Sequence, residues 1–207
     1  MTGASFLPLA IPTLFAYLIG GLPFGYWVVR LMLGLDIRTM GSGNIGATNV
    51  HRAAGKRAGI IVLFLDILKG LLAVWLAAWL THGSPLGMAL AAAAVMLGHC
   101  YPAFLKFRGG KAVACFVGAF GYIAPVALLV AAVAFVIVVA MSRYISLGSL
   151  MSAFLFPFIY WWMYDPPPPL LISAFFAAVL IICRHRANIE RLRSGTEHAF
   201  SLKGKTA

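Results

Sequence analysis

The stretch AVACFVGAFGYIAPVALLVAAVAFVIVVA, residues 112–140, runs for 29 residues without a charge. A helix needs about 20 apolar residues to cross a bilayer core. The stretch is therefore either one long tilted span or two shorter segments, and the choice sets the topology of the whole chain. As one helix it gives six spans and divides the positive charge between both faces of the membrane. As two segments, broken around GYIAP (121–125) with Gly121 and Pro125 as punctuation, it gives seven. Every Lys and Arg except Lys69 then falls on one side: Arg30, Arg38, Arg52, Lys56, Arg57, Lys106, Arg108, Lys111, Arg143 and those of the tail. The opposite connectors carry none. The positive-inside rule makes the basic side cytoplasmic.

The expected fold is an all-α integral membrane protein, a seven-segment transmembrane helical bundle with its active-site loops in the cytoplasm. The N-terminus lies outside and the C-terminus inside. The other apolar runs are Leu7–Val29, Gly59–Leu80, Leu86–Leu105, Ser146–Tyr164 and Leu170–Cys183, the last following DPPPP (165–169). The fourth segment, roughly 112–121, is too short to cross alone. It is expected to begin deep in the bundle, where irregular backbone is tolerated if shielded from lipid. The first run lacks a basic leader and a small-residue cleavage site, so it reads as a retained span. Residues 1–207 make one membrane-embedded domain.

Composition excludes a soluble fold. Of the residues, 62% are hydrophobic and only 10% charged, with a mean hydropathy of +0.96. A soluble domain of this size has too little interior to hide that much apolar surface. The net charge of +11 would point to nucleic acid in a soluble protein. Here the charge sits in short connectors, which favours topology and anionic substrates; no nucleic-acid partner is expected. Cys100, Cys115 and Cys183 are scattered and odd in number, so buried free thiols are expected. The five histidines show no metal-ligand spacing; no metal and no cofactor are expected.

Three polar clusters share the basic side. The first is MGSGNIGATNVHR (40–52). Its glycines let backbone N–H groups approach an anion, Ser42, Asn44, Thr48 and Asn49 add donors, and Arg52 adds a fork suited to phosphate. It matches G-x-G-x-x-G but lacks the Rossmann strand and helix, and it is not a Walker loop. A polar turn between spans fits it equally. The second is GHCYPAFLKFRGGKAVA (98–114), where Gly109–Gly110 precede Lys111 within a basic frame. Boundary anchoring by Lys and Arg also accounts for it. The third is CRHRANIERLRSGTEHAF (183–200). On a helix His185 and Asn188 share a face, as do Arg184 and Arg191, and Gly195 reads as a stop. A basic tail on anionic lipid explains the arginines but not the His–Asn pair. Asp66 and Lys69 lie inside a span at i,i+3, as a buried ion pair or a functional site. A cationic, donor-rich pocket at a membrane face suits a phosphate substrate with an acyl chain. A transporter for a small organic phosphate and a membrane scaffold fit parts of the same pattern.

GSGNIGATNV (41–50), LGHCYPAFLKFRGGKAVA (97–114) and RHRANIERLRSGTEHAF (184–200), in order and with FLDILKG (64–70), resemble the bacterial acyl-phosphate glycerol-3-phosphate acyltransferase (PlsY) family. The resemblance covers about Phe15 to Phe200. Arg108 stands where the family commonly has lysine, and Ala112 and Cys115 where it has glycine and threonine. The resemblance implies transfer of an acyl group from acyl phosphate to the 1-hydroxyl of sn-glycerol 3-phosphate, giving 1-acylglycerol 3-phosphate (lysophosphatidic acid) and inorganic phosphate. It implies the first acylation of phospholipid synthesis, in the bacterial inner membrane and among its lipids. The expected catalytic residues are Ser42, His185 and Asn188. The expected substrate-binding residues are Gly41, Gly43, Asn44, Gly46, Thr48, Asn49, Arg52, His99, Arg108, Gly109, Gly110 and Lys111. In that scheme the 41–49 loop and Gly109–Gly110 hold the acyl phosphate, while Arg52 and Lys111 hold the glycerol phosphate.

Overall fold

The computed structural model describes residues 7–200. Those residues form nine α-helices and no strand. The stretch at 112–140 does break: α5 (Val113–Ile123) ends before Ala124, and α6 (Pro125–Ser142) starts on proline. Pro125 has no N–H to give to α5, but at a first helical position none is needed.

The first apolar run is also divided, which sequence reading did not anticipate. α1 (Leu7–Gly20) and α2 (Phe24–Leu33) are separated at Gly21–Pro23 and together make one 27-residue span. The second run is longer than expected. α3 (Ala47–Leu80) takes in the end of the first polar cluster, and Gly55 (φ 88°, ψ 174°) breaks it into an arm, 47–54, and a long helix. Only glycine takes that φ readily. The arm turns back until His51 packs on Gly59.

α4 (Pro85–Cys100) occupies the centre. Its start is capped by Ser84, whose Oγ accepts from Gly87 N at 3.3 Å. Its alanines at 89, 91, 92 and 94 are buried, and small side chains let neighbouring helices close in. α5 is shielded rather than spanning. A Cβ at Gly118 would overlap the Ile67 carbonyl oxygen, and one at Gly70 the Cys115 carbonyl oxygen. α3 and α5 therefore touch backbone to backbone. Phe116 and Phe120 of α5 stack edge-on against Phe156, with centroids 4.9 and 4.8 Å away.

α7 (Ile145–Tyr164), α8 (Pro168–Arg184) and α9 (Arg186–Arg193) complete the chain, with a 58° bend between the last two. Among the described residues five helical stretches are long and apolar enough to cross a membrane, with the bent α8–α9 pair a sixth; α5 is too short alone. The polar clusters meet in space, with Lys111 bonded to Asn188 and Arg52 and Arg191 acting on the same ammonium. A second small core includes Val29, Ile37, Ile45, Val50 and Val62. Met1 and Ala207, whose sidedness the sequence predicts, lie outside the described residues. Cys100 and Cys115 are buried, but Cys183 is exposed on the outer face of α8. It follows the apolar exterior of the helix, which a sequence run cannot separate from its interior.

Candidate active site

The 40–46 loop is folded by one side chain. Asn49 is buried, its Oδ1 accepts from Ser42 N (3.0 Å), and its Nδ2 donates to the carbonyls of Met40 (3.0 Å) and Asn44 (2.9 Å). Both amide hydrogens are used, so Asn49 builds the loop and has no donor left for substrate. Gly41 (φ 54°) is needed because a Cβ there would strike Asn49 Oδ1. Asn44 Oδ1 accepts from Gly46 N at 2.8 Å. Gly46 has no side chain to cap α3. The Ala47 and Thr48 amides have no acceptor among the described residues. Those first-turn donors, with the exposed Ser42 and Thr48 hydroxyls, are what the loop offers an anion.

Gly109 and Gly110 are spent differently from expectation. Gly109 N donates to the Cys100 carbonyl (3.1 Å) and Gly110 N to the His99 carbonyl (2.9 Å). These amides satisfy the open end of α4 and cannot also hold an acyl phosphate. Glycine is required by contact: a Cβ at 110 would overlap the His99 ring, and one at 109 the His99 carbonyl. Arg184 takes the two carbonyls from the other side, Nε to Gly110 (3.0 Å) and Nη2 to Gly109 (3.1 Å).

His99 itself is not at the surface of this loop but beneath it. It is buried with Asp66 and Lys69, its Nδ1 3.7 Å from Asp66 Oδ1 and without a hydrogen-bond partner. Lys69 Nζ lies 2.7 Å from Asp66 Oδ1 and donates to the Leu22 carbonyl at 3.0 Å, which the α1–α2 break exposes. Asp66, His99 and Cys115 bring ligand-type atoms within 4.8 Å of one another, but the Lys69 ammonium already neutralises the carboxylate. The cluster ties the α1–α2 break, α3 and α4 together, and Asp66 and Lys69 form a buried ion pair. His99 packs behind the site instead of facing substrate.

The third cluster supplies the frame. Lys111 Nζ donates to Asn188 Oδ1. Asn188 Nδ2 donates to Glu197 Oε1 (2.8 Å), Ser146 Oγ to the same oxygen (2.9 Å), and Arg191 Nε to Glu197 Oε2 (2.7 Å). Burial opposes ionisation of Glu197, but the hydrogen bonds from Asn188, Arg191 and Ser146 outweigh it and hold its carboxyl below the ordinary range. His185, also buried, donates Nδ1–H to the Ile181 carbonyl at 2.8 Å, which leaves Nε2 as the ring's lone pair. Burial pushes the Lys111 ammonium down to about 8, and Arg191, Arg52 and Arg184 add repulsion that Glu197 partly offsets. Three arginines thus gather round Lys111, and among the described residues Glu197 is the carboxylate that offsets them. Arg52, on the exposed side of the α3 arm, completes this group and makes no hydrogen bond among the described residues. Arg108 is exposed.

Comparison with known proteins settles what this arrangement belongs to. The sequence model of the family described as glycerol-3-phosphate acyltransferase matches residues 10–195. The chain belongs to the glycerol-3-phosphate acyltransferase family. The enzyme of that name from Syntrophotalea carbinolica is 44% identical over 92% of this chain and 96% of its own length. That from Geobacillus kaustophilus is 42% identical over 95% and 98%. The crystal structure of PlsY (YgiH), an integral membrane glycerol 3-phosphate acyltransferase, in its glycerol 3-phosphate form superposes with a TM-score of 0.88. It shares 37% identity over 93% of this chain and 96% of that one. Its lysophosphatidic acid form gives 0.85 at 36% identity.

Within this acyltransferase the structure brings Arg52, Lys111, His185 and Asn188 to one place, as the three separated motifs suggest. Sequence reading missed Arg184, Glu197 and Ser146 as parts of the frame. The seven-residue spacing of Arg184 and Arg191 is a signal for the first. None marks Ser146, which looks like any small residue at a helix start.

Proposed function

We propose that the protein transfers an acyl group from acyl phosphate to the 1-hydroxyl of sn-glycerol 3-phosphate, forming lysophosphatidic acid and inorganic phosphate. The acylation of glycerol 3-phosphate is the activity for which its family is described. The observation that supports it is the gathering of Arg52, Arg184 and Arg191 around Lys111, whose ammonium is bonded to Asn188. A phosphate monoester carries roughly −1.5 to −2 charges, and both substrates need such a counter-charge.

Arg52 and Lys111 bind the phosphate of the acceptor. The Ala47 and Thr48 amides with the Ser42 and Thr48 hydroxyls receive the acyl-phosphate group and the charge that develops as it reacts. Asn188, held by Glu197, keeps Lys111 in place. The acceptor oxygen bonds to the acyl carbon, the C–O bond to phosphate breaks, and the departing phosphate takes the hydroxyl proton. The mixed anhydride is already activated, so His185 orients the acceptor and no strong protein base is required. Binding both reactants side by side supplies proximity. The acyl chain lies among lipid and helices, in the inner membrane of a bacterium, with seven segments, the N-terminus outside and the basic end cytoplasmic.

The test is inorganic phosphate release by detergent-purified protein. Release that needs both acyl phosphate and glycerol 3-phosphate supports the reading. Turnover with an acyl thioester donor and none with acyl phosphate would overturn the donor assignment.

A further inference from the structure

Arg184 is the last residue of α8 and immediately precedes the His185–Asn188 pair. Its fork holds two consecutive carbonyls, Gly109 and Gly110. Its guanidinium carbon lies 4.9 Å from the centroid of the Tyr101 ring. Tyr101 is fixed in turn, its amide donating to Leu97 O (2.8 Å) and its carbonyl accepting from the Tyr17 hydroxyl (2.7 Å). The glycine pair is thus gripped from two sides, by the end of α4 through its N–H groups and by α8 through its carbonyls.

Peptide planarity carries this grip to the next residue. The Gly110 carbonyl and the Lys111 amide share one trans plane and point in opposite directions. Holding that carbonyl on Arg184 fixes the Lys111 amide and the direction in which the Lys111 side chain departs. That side chain ends on Asn188, four residues beyond Arg184. One guanidinium therefore sets the register between the two halves of the site.

We propose that Arg184 is a positioning residue for acyl transfer: its planar fork, rather than its charge alone, holds the Gly109–Gly110–Lys111 loop in register with His185 and Asn188. The inference rests on the assignment of Lys111 and Asn188 to the reaction site. Nε and Nη2 each give an N–H to a carbonyl, so the edge of the fork that faces the loop is taken up by backbone. A lysine ammonium keeps the charge but not the two-point geometry.

Steady-state kinetics on the full-length, detergent-purified protein with acyl phosphate and glycerol 3-phosphate test this with R184K, K111A and Y101L. R184K is expected to lose about 100-fold in kcat, the scale of a displaced reacting group, with KM for glycerol 3-phosphate changed less than about threefold. Added guanidinium ion should restore part of the activity of R184A and leave the wild type unchanged. R184K with wild-type kcat and KM would overturn the proposal, as would a rise in KM at constant kcat, which marks direct phosphate binding. Should R184K fail to fold, Y101L decides, since it removes only the shelf behind the guanidinium. A kcat-specific loss of about tenfold supports positioning, and no loss counts against it. An inactive K111A beside an unimpaired R184K overturns the role of Arg184 alone, whereas a fully active K111A overturns the site reading beneath it.

Discussion

Lys111 shows how burial sets the working range of a single residue. Its ammonium is pushed down to about 8 by burial and by neighbouring arginines. Phosphate binding needs the charged form, so kcat/KM for glycerol 3-phosphate is expected to fall as pH rises through about 8, since that parameter reports the free enzyme. Bound phosphate stabilises the ammonium, so the same limb in kcat lies at higher pH. K111R should move the limb out of the accessible range; an unchanged limb in that variant would exclude Lys111 as its source. Arg52 has no hydrogen-bond partner in the protein among the described residues, so R52A is expected to leave the fold intact. It should raise KM for glycerol 3-phosphate by about 10- to 100-fold, the range of a lost charge-assisted hydrogen bond. A thermal midpoint equal to wild type, measured beside the kinetics, separates that effect from unfolding.

Glu197 gives the matching prediction for stability. Its folded-state pKa is lowered from the ordinary carboxylate value. Its contribution is therefore present above the ordinary glutamate range and is lost as pH falls through the lowered folded value. Thermal midpoints measured from neutral to acid pH should decline less in E197Q than in wild type, and E197Q should be the less stable of the two at pH 7. Equal midpoints at pH 7 would mean that the Asn188–Glu197–Arg191–Ser146 network does not hold the tail.

At the scale of elements, α5 depends on contact rather than length. Eleven residues cannot span a bilayer, and its backbone lies directly against α3 at Gly70 and Gly118. Adding a methyl at Gly118 must part the two helices, an overpacking change that costs about 1–3 kcal/mol. G118A should lower the thermal midpoint and activity together, because α5 begins at Val113, two residues after Lys111. G121A is the control, since its Cβ meets only the end of Leu128 at 3.5 Å. Equal midpoints for the two variants would show that the α3–α5 contact is soft.

The break between α5 and α6 was legible in the sequence because Pro125 cannot continue a helix and the charge count demanded a turn. The break at Gly21–Pro23 carried the same punctuation but no charge asymmetry, and the run was long enough for one span either way. The fold-back of the α3 arm depends on Gly55 taking a positive φ, and no periodicity announces a single backbone angle. Composition alone suggests an anion cradle at the glycine pair 109–110. Its N–H groups go to α4 because that helix ends directly beneath it, a fact of packing.

For the whole molecule, the proposed orientation has a direct test. Cysteine in place of Gly83, in the α3–α4 turn, should react in intact cells with a membrane-impermeant maleimide, and cysteine in place of Arg108 should react only after the cells are opened. Cys183 is replaced by serine in both, since it is exposed. The opposite pattern would invert the topology.

By itself the sequence determined that this is a multi-helix membrane protein with most of its cations in the connectors, beside three polar motifs, because hydropathy and charge are local and additive along the chain. Its motifs also determined the family. Tertiary structure alone decided which donors remain free. Asn49, Gly109 and Gly110 are the same residues in either reading, but folding spends their polar groups on the protein itself, and it buries His99 beneath the loop. Arg52 and the first amides of α3 keep theirs, and Lys111 gives one of its three N–H donors to Asn188. A hydrogen bond needs a partner in space, and that partner lies 74 residues away for Arg184 and Gly110.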